Sequence, residues 1–169
     1  MSPAQVDRLQ ACARVLDPPA RVVMTGNVAP EAVAAIRAGA GPGVEVLIVA
    51  PGAVARIDGS IDLLFIGPAA PYSVAAELFG RWPGRVAPGG LLFVYGAFAA
   101  PPVTAALLRA IGASRSWRYY GREGALAEYV RADLSHGERV LDAIAQAAQL
   151  GFFTRGLSQR RRRRRRRAA

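Results

Sequence analysis

Apolar and amphipathic segments alternate along most of this chain. Largely apolar runs without polar alternation occupy positions 21–25, 44–49, 61–66 and 91–95. Such runs are typical of parallel strands that are covered on both faces. Segments with helical spacing lie between them, so the pattern predicts an α/β fold, with a mostly parallel sheet and helices on both faces.

Helix signals mark four segments around these strands. The N-terminal segment has the spacing of an amphipathic helix that packs on the domain, and Cys12 lies near its buried side. A second helix begins at Pro30 and ends before Gly39, and a third spans about 73–82. The fourth follows two prolines at 101–102 and carries apolar residues at helical spacing: Val103, Ala106, Leu107, Ala110 and Ile111.

The last third of the chain has a different pattern. Segments 116–120 and 126–131 flank a glycine-containing turn and predict a β-hairpin. Ser135 and Glu138 then have the spacing of a capping box at the start of a last helix. This helix either packs on the sheet or contacts a partner through its apolar stripe: Val140, Leu141, Ile144, Ala147 and Ala148.

These boundaries divide the chain into four parts. We expect an N-terminal helix packed on the domain at 1–19, a central α/β domain at 20–134 and a C-terminal helix at 135–153. An Arg-rich tail at 154–169 is expected to be disordered because its like charges repel one another.

Positive charge is concentrated in this tail. The chain carries 22 basic residues, every one an Arg, and a formal net charge of +10. Eight of the arginines are consecutive, which leaves +2 for the rest, so the globular part is not a basic nucleic-acid-binding domain. The run is either a solvated tail or an electrostatic tether to RNA, DNA or anionic lipid. Its candidate polyanion-binding residues are Arg160, Arg161, Arg162, Arg163, Arg164, Arg165, Arg166 and Arg167.

Composition also limits the compartment and the kind of fold. The single cysteine, Cys12, excludes an intrachain disulfide and a cysteine-based zinc site. No basic segment followed by an apolar stretch occurs at the N-terminus, so we expect no secretory signal and a cytoplasmic protein. The uncharged stretch 86–108 could cross a membrane by length, but prolines and glycines interrupt it, so we predict a buried strand and a helix there.

Within 61–96, nine residues form a recognisable pattern: Asp62, Leu63, Phe65, Ile66, Tyr72, Trp82, Pro88, Gly89 and Gly90. The pattern resembles the second half of a class I S-adenosylmethionine-dependent methyltransferase domain, of the small metal-dependent and related type. Four further residues stand where that family has the Asp, His, His and Asp of its chemistry: Gly67, Ala70, Tyr95 and Gly96. The resemblance covers about 21–133 and implies a Rossmann-like methyltransferase fold. The interval 52–60 is too short for the family's helix and third strand, so we expect a shortened form of that fold.

The resemblance also implies where S-adenosylmethionine would bind. In the family, a glycine-rich turn after the first strand lets the backbone approach the cofactor. Gly26 matches this turn, but Met24 replaces its acid, and Ala29 or Pro30 stands where further glycine is expected. The family's second strand ends in an acid that accepts hydrogen bonds from the ribose hydroxyls, and Ala50 stands in that place. The implied cofactor-binding positions are therefore Gly26, Asn27, Ala50 and Gly67.

Neutral side chains dominate the predicted ligand edge. Tyr72 and Tyr95 are the candidate catalytic residues, and Thr25 and Asn27 are expected to complete a hydrogen-bonding rim. No base stands beside them in the predicted arrangement, so a structural role is favoured for each.

A metal site is not expected. Hard cations need oxygen ligands, and the predicted edge offers no carboxylate. Asp62 begins its strand at the opposite end, and Glu77 lies on a helix where a solvated carboxylate is usual.

Three functions are compatible with the sequence. The first is a methyltransferase-family protein with an eroded cofactor site and an accessory or binding role. The second is an active S-adenosylmethionine-dependent methyltransferase on a small-molecule acceptor, because methyl transfer can proceed by positioning alone when the acceptor is already nucleophilic. The third is an interaction module in which the last helix and the arginine run recruit a partner or a polyanion.

Overall fold

The computed structural model describes residues 1–69, 71–98, 101–112, 114–149 and 151. Within them, six strands form one sheet: β1 (Ala20–Thr25), β2 (Val44–Val49), β3 (Ile61–Ile66), β4 (Val86–Tyr95), β5 (Trp117–Glu123) and β6 (Leu126–Arg131). The α-helices of this part are α1 (Pro3–Arg14), α2 (Pro30–Gly39), α3 (Tyr72–Arg81), α4 (Pro101–Leu107) and α5 (His136–Ala148). Two 3-10 turns (Ala53–Arg56 and Pro83–Arg85) and a π-helical continuation of α4 (Leu108–Gly112) complete the elements.

The strand order is β2-β1-β3-β4-β6-β5. Strands β1 to β4 pair in parallel, whereas β6 runs antiparallel to both β4 and β5. The sheet therefore confirms the predicted Rossmann-like α/β fold with a terminal antiparallel hairpin. Beyond β2 the described residues add no further strand, so β2 forms an edge of the sheet and the fold is the shortened one.

Two strands are longer than the sequence pattern predicts. Strand β4 already begins at Val86, and its pairing with β3 is irregular between Ile61 and Leu63, where β4 passes through its Pro-Gly-Gly segment. Strand β5 continues to Glu123 because Gly121, with φ +156°, accommodates an irregular register beside Tyr119.

Helices cover both faces of the sheet. Successive strand residues point to opposite faces, so Met24 and Phe65 pack with α1 and α2, whereas their neighbours Val23 and Leu64 pack on the other side. We call these two clusters the α1–α2 core and the α3–α4 core. Cys12 lies in the α1–α2 core and is buried, as predicted.

Helices α1 and α2 pack closely at Gly39. A Cβ atom at this position would lie 2.2 Å from the carbonyl oxygen of Gln10 in α1. Gly39 is the last residue of α2 rather than the residue after its end, and the approach of the two backbones leaves no room for a side chain there.

The connection between β2 and β3 is shorter than the helix and third strand that the resemblance implies for this interval. It contains the 3-10 turn Ala53–Arg56, and Ile57 at its end is buried in the α3–α4 core. The fully buried Trp82, just after α3, donates a hydrogen bond from Nε1 to the carbonyl oxygen of Pro51 at 2.8 Å. Arg85 donates to the carbonyl oxygen of Ile57. The segment after α3 thus anchors both ends of this connection.

Helix α5 packs through its polar side. The Ser135 and Glu138 side chains form the predicted capping box at its N-terminus. Asp142 accepts a hydrogen bond from the backbone N–H of Tyr119 at 2.5 Å, and Gln146 donates to Asp142 at 2.6 Å. The predicted apolar stripe is not against the sheet: its large members Val140, Leu141 and Ile144 are 48%, 69% and 61% exposed.

Among the described residues, no helix is long and apolar enough to cross a membrane. The stretch 86–108 contains β4 and α4, as predicted. The predicted tail at 154–169, with its arginine run, lies outside the described residues.

Replacing Trp82 with Phe tests the anchor on the β2–β3 connection. The change removes the indole N–H and leaves the Pro51 carbonyl oxygen without its donor, so we expect the free energy of unfolding to fall by about 1–3 kcal/mol. Urea denaturation measures this loss. Hydrogen exchange should accelerate first at the amides of Ala53 and Ile57, which are bonded within the connection. An unchanged unfolding midpoint would contradict the anchoring role.

Acid should weaken the start of α5. Hydrogen bonds from the Ser135 backbone and hydroxyl, together with Arg118, hold the pKa of the exposed Glu138 carboxyl below its ordinary value. Because the pKa is lowered in the folded state, the stabilisation is complete above the ordinary Glu pKa of about 4.3 and is lost as the pH falls through the folded value. The pH dependence of the free energy of unfolding should therefore be shallower below about pH 4 in Glu138→Gln than in the unmodified chain. Parallel curves for the two proteins would contradict the prediction.

Candidate functional site

Parallel strands β1 to β4 end at the same edge of the sheet, where ligands bind in open α/β sheets. The turns that follow β1, β2, β3 and β4 begin at Gly26, Ala50, Gly67 and Gly96. The structure thus brings the four implied cofactor-binding positions, Gly26, Asn27, Ala50 and Gly67, to this edge. We call it the carboxyl edge.

The turn after β1 keeps one feature of a ligand-binding turn. Gly26 has φ +83°, a conformation that favours glycine. Asn27 is exposed, but Val28 packs its side chain against the α1–α2 core, and Met24 is fully buried in that core. An apolar side chain therefore occupies this turn, and Met24 offers no acceptor to the edge.

The turns after β1 and β3 are in direct backbone contact. The buried Gly67 donates its N–H to the carbonyl oxygen of Thr25 at 2.8 Å. A Cβ atom on Gly67 would lie 2.4 Å from the carbonyl oxygen of Asn27 and 2.7 Å from its carbonyl carbon. The Asn27 backbone thus occupies the space in front of Gly67, where the resemblance implies an acidic side chain.

The turn after β2 offers no side-chain acceptor. Ala50 is exposed, and its carbonyl oxygen accepts a hydrogen bond from the Ala53 N–H at 2.9 Å within the turn. A methyl group therefore stands where the ribose hydroxyls of the implied cofactor would need a carboxylate.

The two candidate catalytic tyrosines lie in different layers of the fold. Tyr72 begins α3 and is 40% exposed, whereas Tyr95 ends β4 and packs against the α1–α2 core. Thr25 is fully buried, and its hydroxyl has no hydrogen-bond partner among the residues that the structure describes, so it does not contribute to the rim that the sequence predicts. Ala70, where the family would have a histidine, lies outside the described residues.

Acidic side chains near these strands have other roles. Asp62 lies at the beginning of β3 and accepts a hydrogen bond from the Arg21 backbone N–H at 2.7 Å, away from the carboxyl edge. Glu77 forms an exposed ion pair with Arg81 one turn further along α3. In the described part of the chain, no group of three His, Cys, Asp or Glu side chains could hold a metal ion.

A charged pocket lies elsewhere, between α1 and the β5–β6 hairpin. Its volume is about 580 Å³, and Arg8 and Glu128 line it together with Asp7, Tyr120 and Arg122. The Arg8 guanidinium binds the Glu128 carboxylate with two hydrogen bonds, from Nε at 2.9 Å and from a terminal nitrogen at 2.7 Å. The guanidinium also lies 5.8 Å from the centre of the Tyr120 ring.

The two side chains of this ion pair differ in burial. The side chain of Glu128 is 9% exposed and that of Arg8 is 40% exposed. Hydrogen bonding to Glu128 raises the pKa of Arg8, and burial, followed by the Glu128 charge, raises the pKa of the neighbouring Cys12 thiol. Arg8 therefore stays charged and Cys12 stays a thiol at neutral pH.

The sequence pattern does not indicate this pocket. Its one visible signal is Glu128 itself, a charged residue in the middle of strand β6, whose other charged residue, Arg131, stands at the end. A buried carboxylate needs a partner. Nothing in the periodicity of α1 identifies Arg8, 120 positions away, as that partner.

Comparisons with known proteins agree with this geometry at the level of the fold. No protein-family model matches the chain, and no curated protein matches its sequence. A protein from Corynebacterium glutamicum has a similar structure, with a TM-score of 0.62 and 15% identity over 80% of this chain and 83% of that chain.

Two methyltransferases are also similar in structure. An O-methyltransferase from Bacillus cereus, in complex with SAH, has a TM-score of 0.56 and 13% identity over 80% of this chain and 82% of that chain. A release factor-specific protein-(glutamine-N5) methyltransferase from Alicyclobacillus acidocaldarius has a TM-score of 0.52 and 15% identity over 75% of this chain and 88% of that chain. At these identities the likeness concerns the fold, and the fold of this chain is that of the class I S-adenosylmethionine-dependent methyltransferases.

Proposed function

We propose that this chain has an accessory or binding role on a methyltransferase fold whose cofactor site is eroded. The observation that supports this most directly is the contact between the turns after β1 and β3. Asn27 carbonyl atoms lie where a side chain at Gly67 would begin. A ligand could enter between these turns only if one of them moved.

The residues of the carboxyl edge do not fit S-adenosylmethionine. Two positions that would carry acids are Met24, which is buried in the core, and Ala50, which is exposed. Each hydrogen bond to a charged group is worth about 1.5–3 kcal/mol, so each missing carboxylate lowers affinity about tenfold or more. Ala29 or Pro30 also stands where the turn would need a further glycine.

The pocket between α1 and the hairpin is the better place for a binding role. It is lined by charges of both signs, and its central ion pair holds Arg8 and Glu128 in a fixed relative position. A polar small molecule with complementary charges would find preformed partners there, at Asp7 and Arg122 among others.

A second candidate is an active methyltransferase on a small-molecule acceptor. Gly26 retains the positive φ of a cofactor turn, and the structurally similar O-methyltransferase is in complex with SAH. In this candidate Asn27 and Tyr72 would contact the ligands, and the turn at Gly67 would have to open. Tyr95 is less suited, because it is partly buried and packs against the α1–α2 core. We propose a cytoplasmic location for either function, and binding of a polyanion by the arginine run.

Calorimetry with S-adenosylmethionine and with S-adenosylhomocysteine distinguishes the two candidates. We expect no saturable binding of either compound to the unmodified chain at micromolar concentration, because the edge lacks acceptors and its turns are in contact. Tight saturable binding would contradict the eroded site and favour the enzyme. In that event Gly26→Val should abolish binding by blocking the approach of the backbone.

Ala50→Asp separates the two causes of weak binding. Position 50 is exposed, so the variant should fold as the unmodified chain does, which thermal unfolding can verify. We expect Ala50→Asp to bind S-adenosylmethionine no better than the unmodified chain, because the contact between Asn27 and Gly67 is unchanged. A gain of about tenfold or more in affinity would show that one missing carboxylate, and not the closed turns, prevents binding.

A further inference from the structure

The outward face of α5 is apolar, although nothing described in the structure covers it. At about 100° per residue, Val140 and Ile144 lie opposite the buried Asp142 and Gln146. Leu141 lies on the same outward side and is 69% exposed. A helix on the surface of a globular protein normally has the reverse arrangement, with its apolar stripe against the core.

Charged side chains of α5 are confined to its inward half. Asp142 is hydrogen-bonded to the backbone N–H of Tyr119, and Glu138 pairs with Arg118 of β5. Arg139, the remaining charged residue of the helix, is only partly exposed. Apart from His136 at the start of the helix, the outward half contains only glycine and apolar residues: Gly137, Val140, Leu141, Ala143, Ile144, Ala147 and Ala148. A charge-free face of this kind is suited to a low-dielectric surface.

The chain that follows α5 supplies the complementary charge. Arg160 lies twelve positions after Ala148, and seven further arginines follow it. Twelve residues span at most about 40 Å when fully extended, so the arginine run can reach any surface on which α5 rests. Phe152 and Phe153 lie between the two, and phenylalanine is among the residues that interfacial helices insert into lipid.

We propose that α5 and the arginine run together bind the surface of an anionic lipid bilayer. The apolar face of α5 enters the boundary between headgroups and acyl chains, and the arginines bind the anionic headgroups. The two signals are complementary: one apolar face or one basic cluster alone gives weak, reversible binding, whereas two signals together give stable attachment.

A second copy of the chain fits this face less well. An outward face on a helix of 13 residues is about 20 Å long and about 10 Å wide. A standard protein interface buries about 800 Å² on each partner, far more than such a face offers. A nucleic acid would engage the arginines through its phosphates, but it would leave the apolar face uncovered.

Vesicle flotation with the full chain tests the proposal. We expect binding to vesicles of phosphatidylcholine mixed with phosphatidylserine and little binding to phosphatidylcholine alone. Each basic residue near an anionic surface contributes roughly fivefold to partitioning, so a chain that ends at Gln159 should lose at least about a hundredfold. Equal binding to both kinds of vesicle would overturn the electrostatic part of the proposal.

The apolar face is tested by Leu141→Gln/Ile144→Gln, with Ala143→Gln as the matched control. Both large side chains are exposed, so thermal unfolding should be unchanged, and Ala143 is exposed at the flank of the face. We expect the double variant to lose at least about tenfold in partitioning, and the control to bind as the unmodified chain does. Unchanged binding by the double variant would overturn the proposal.

A second measurement does not depend on that variant. An environment-sensitive fluorophore on Ile144→Cys should shift to shorter wavelength on anionic vesicles, while Cys12 stays protected by burial. No shift would overturn insertion of α5. Two other results would also overturn the proposal: binding of duplex DNA without binding of anionic vesicles, or a dimer in ultracentrifugation that Leu141→Gln/Ile144→Gln converts to a monomer.

Discussion

The close approach of the backbones at Gly26, Asn27 and Gly67 is the constraint that shapes the carboxyl edge of the sheet. Parallel pairing of β1 and β3 continues one step beyond the strands, through the hydrogen bond from Gly67 to the Thr25 carbonyl oxygen. Glycine at position 67 permits this approach, because any Cβ atom would meet the Asn27 backbone. The absence of a side chain at position 67 therefore allows the turn after β1 to close over it.

The missing third strand affects the same edge from the other side. Because β2 is the edge of the sheet, the turn that contains Ala50 has no strand on its outer side, and Trp82 anchors it through the Pro51 carbonyl oxygen. The large indole fills part of the α3–α4 core near the short connection. The short β2–β3 connection and the contact between the turns after β1 and β3 thus lie at the same edge of the sheet, and hydrogen bonds within the chain stabilise both.

Much of the fold could be predicted from the sequence, because its strands carry a strong local signal. The apolar runs at 44–49 and 61–66 coincide with β2 and β3. Strand β3 contains few polar residues because it is covered on both faces, whereas β2 at the edge has a similar apolar pattern although it is only partly buried. The resemblance also predicted that Ala50 and Gly67 would lie at the carboxyl edge, where both residues begin turns. The contact between Asn27 and Gly67 could not be predicted, because it depends on the exact backbone path of two turns.

Contacts between residues far apart in the sequence also could not be predicted from local patterns. Glu128 signals a buried charge, yet its partner Arg8 lies on α1, 120 positions away. Periodicity found the apolar stripe of α5 but could not decide which side of the helix faces the sheet. That orientation depends on Asp142 and Gln146 finding the Tyr119 N–H and the Tyr129 hydroxyl, at 2.5 Å and 3.3 Å.

The polar docking of α5 also has a consequence for its outward face. Asp142 and Gln146 are buried, and burial of unpartnered polar groups would be costly, so their hydrogen bonds fix the rotation of the helix about its axis. Burial raises the pKa of Tyr119 to about 12 and that of Tyr129 well above its ordinary value, so both rings stay neutral beside Asp142 at neutral pH. Turning the apolar stripe inward would expose the hydroxyl of Tyr129 to apolar side chains and remove the acceptor of the Tyr119 N–H. The helix therefore cannot hide Leu141 and Ile144 by rotation, and their exposure is a fixed property of the folded chain.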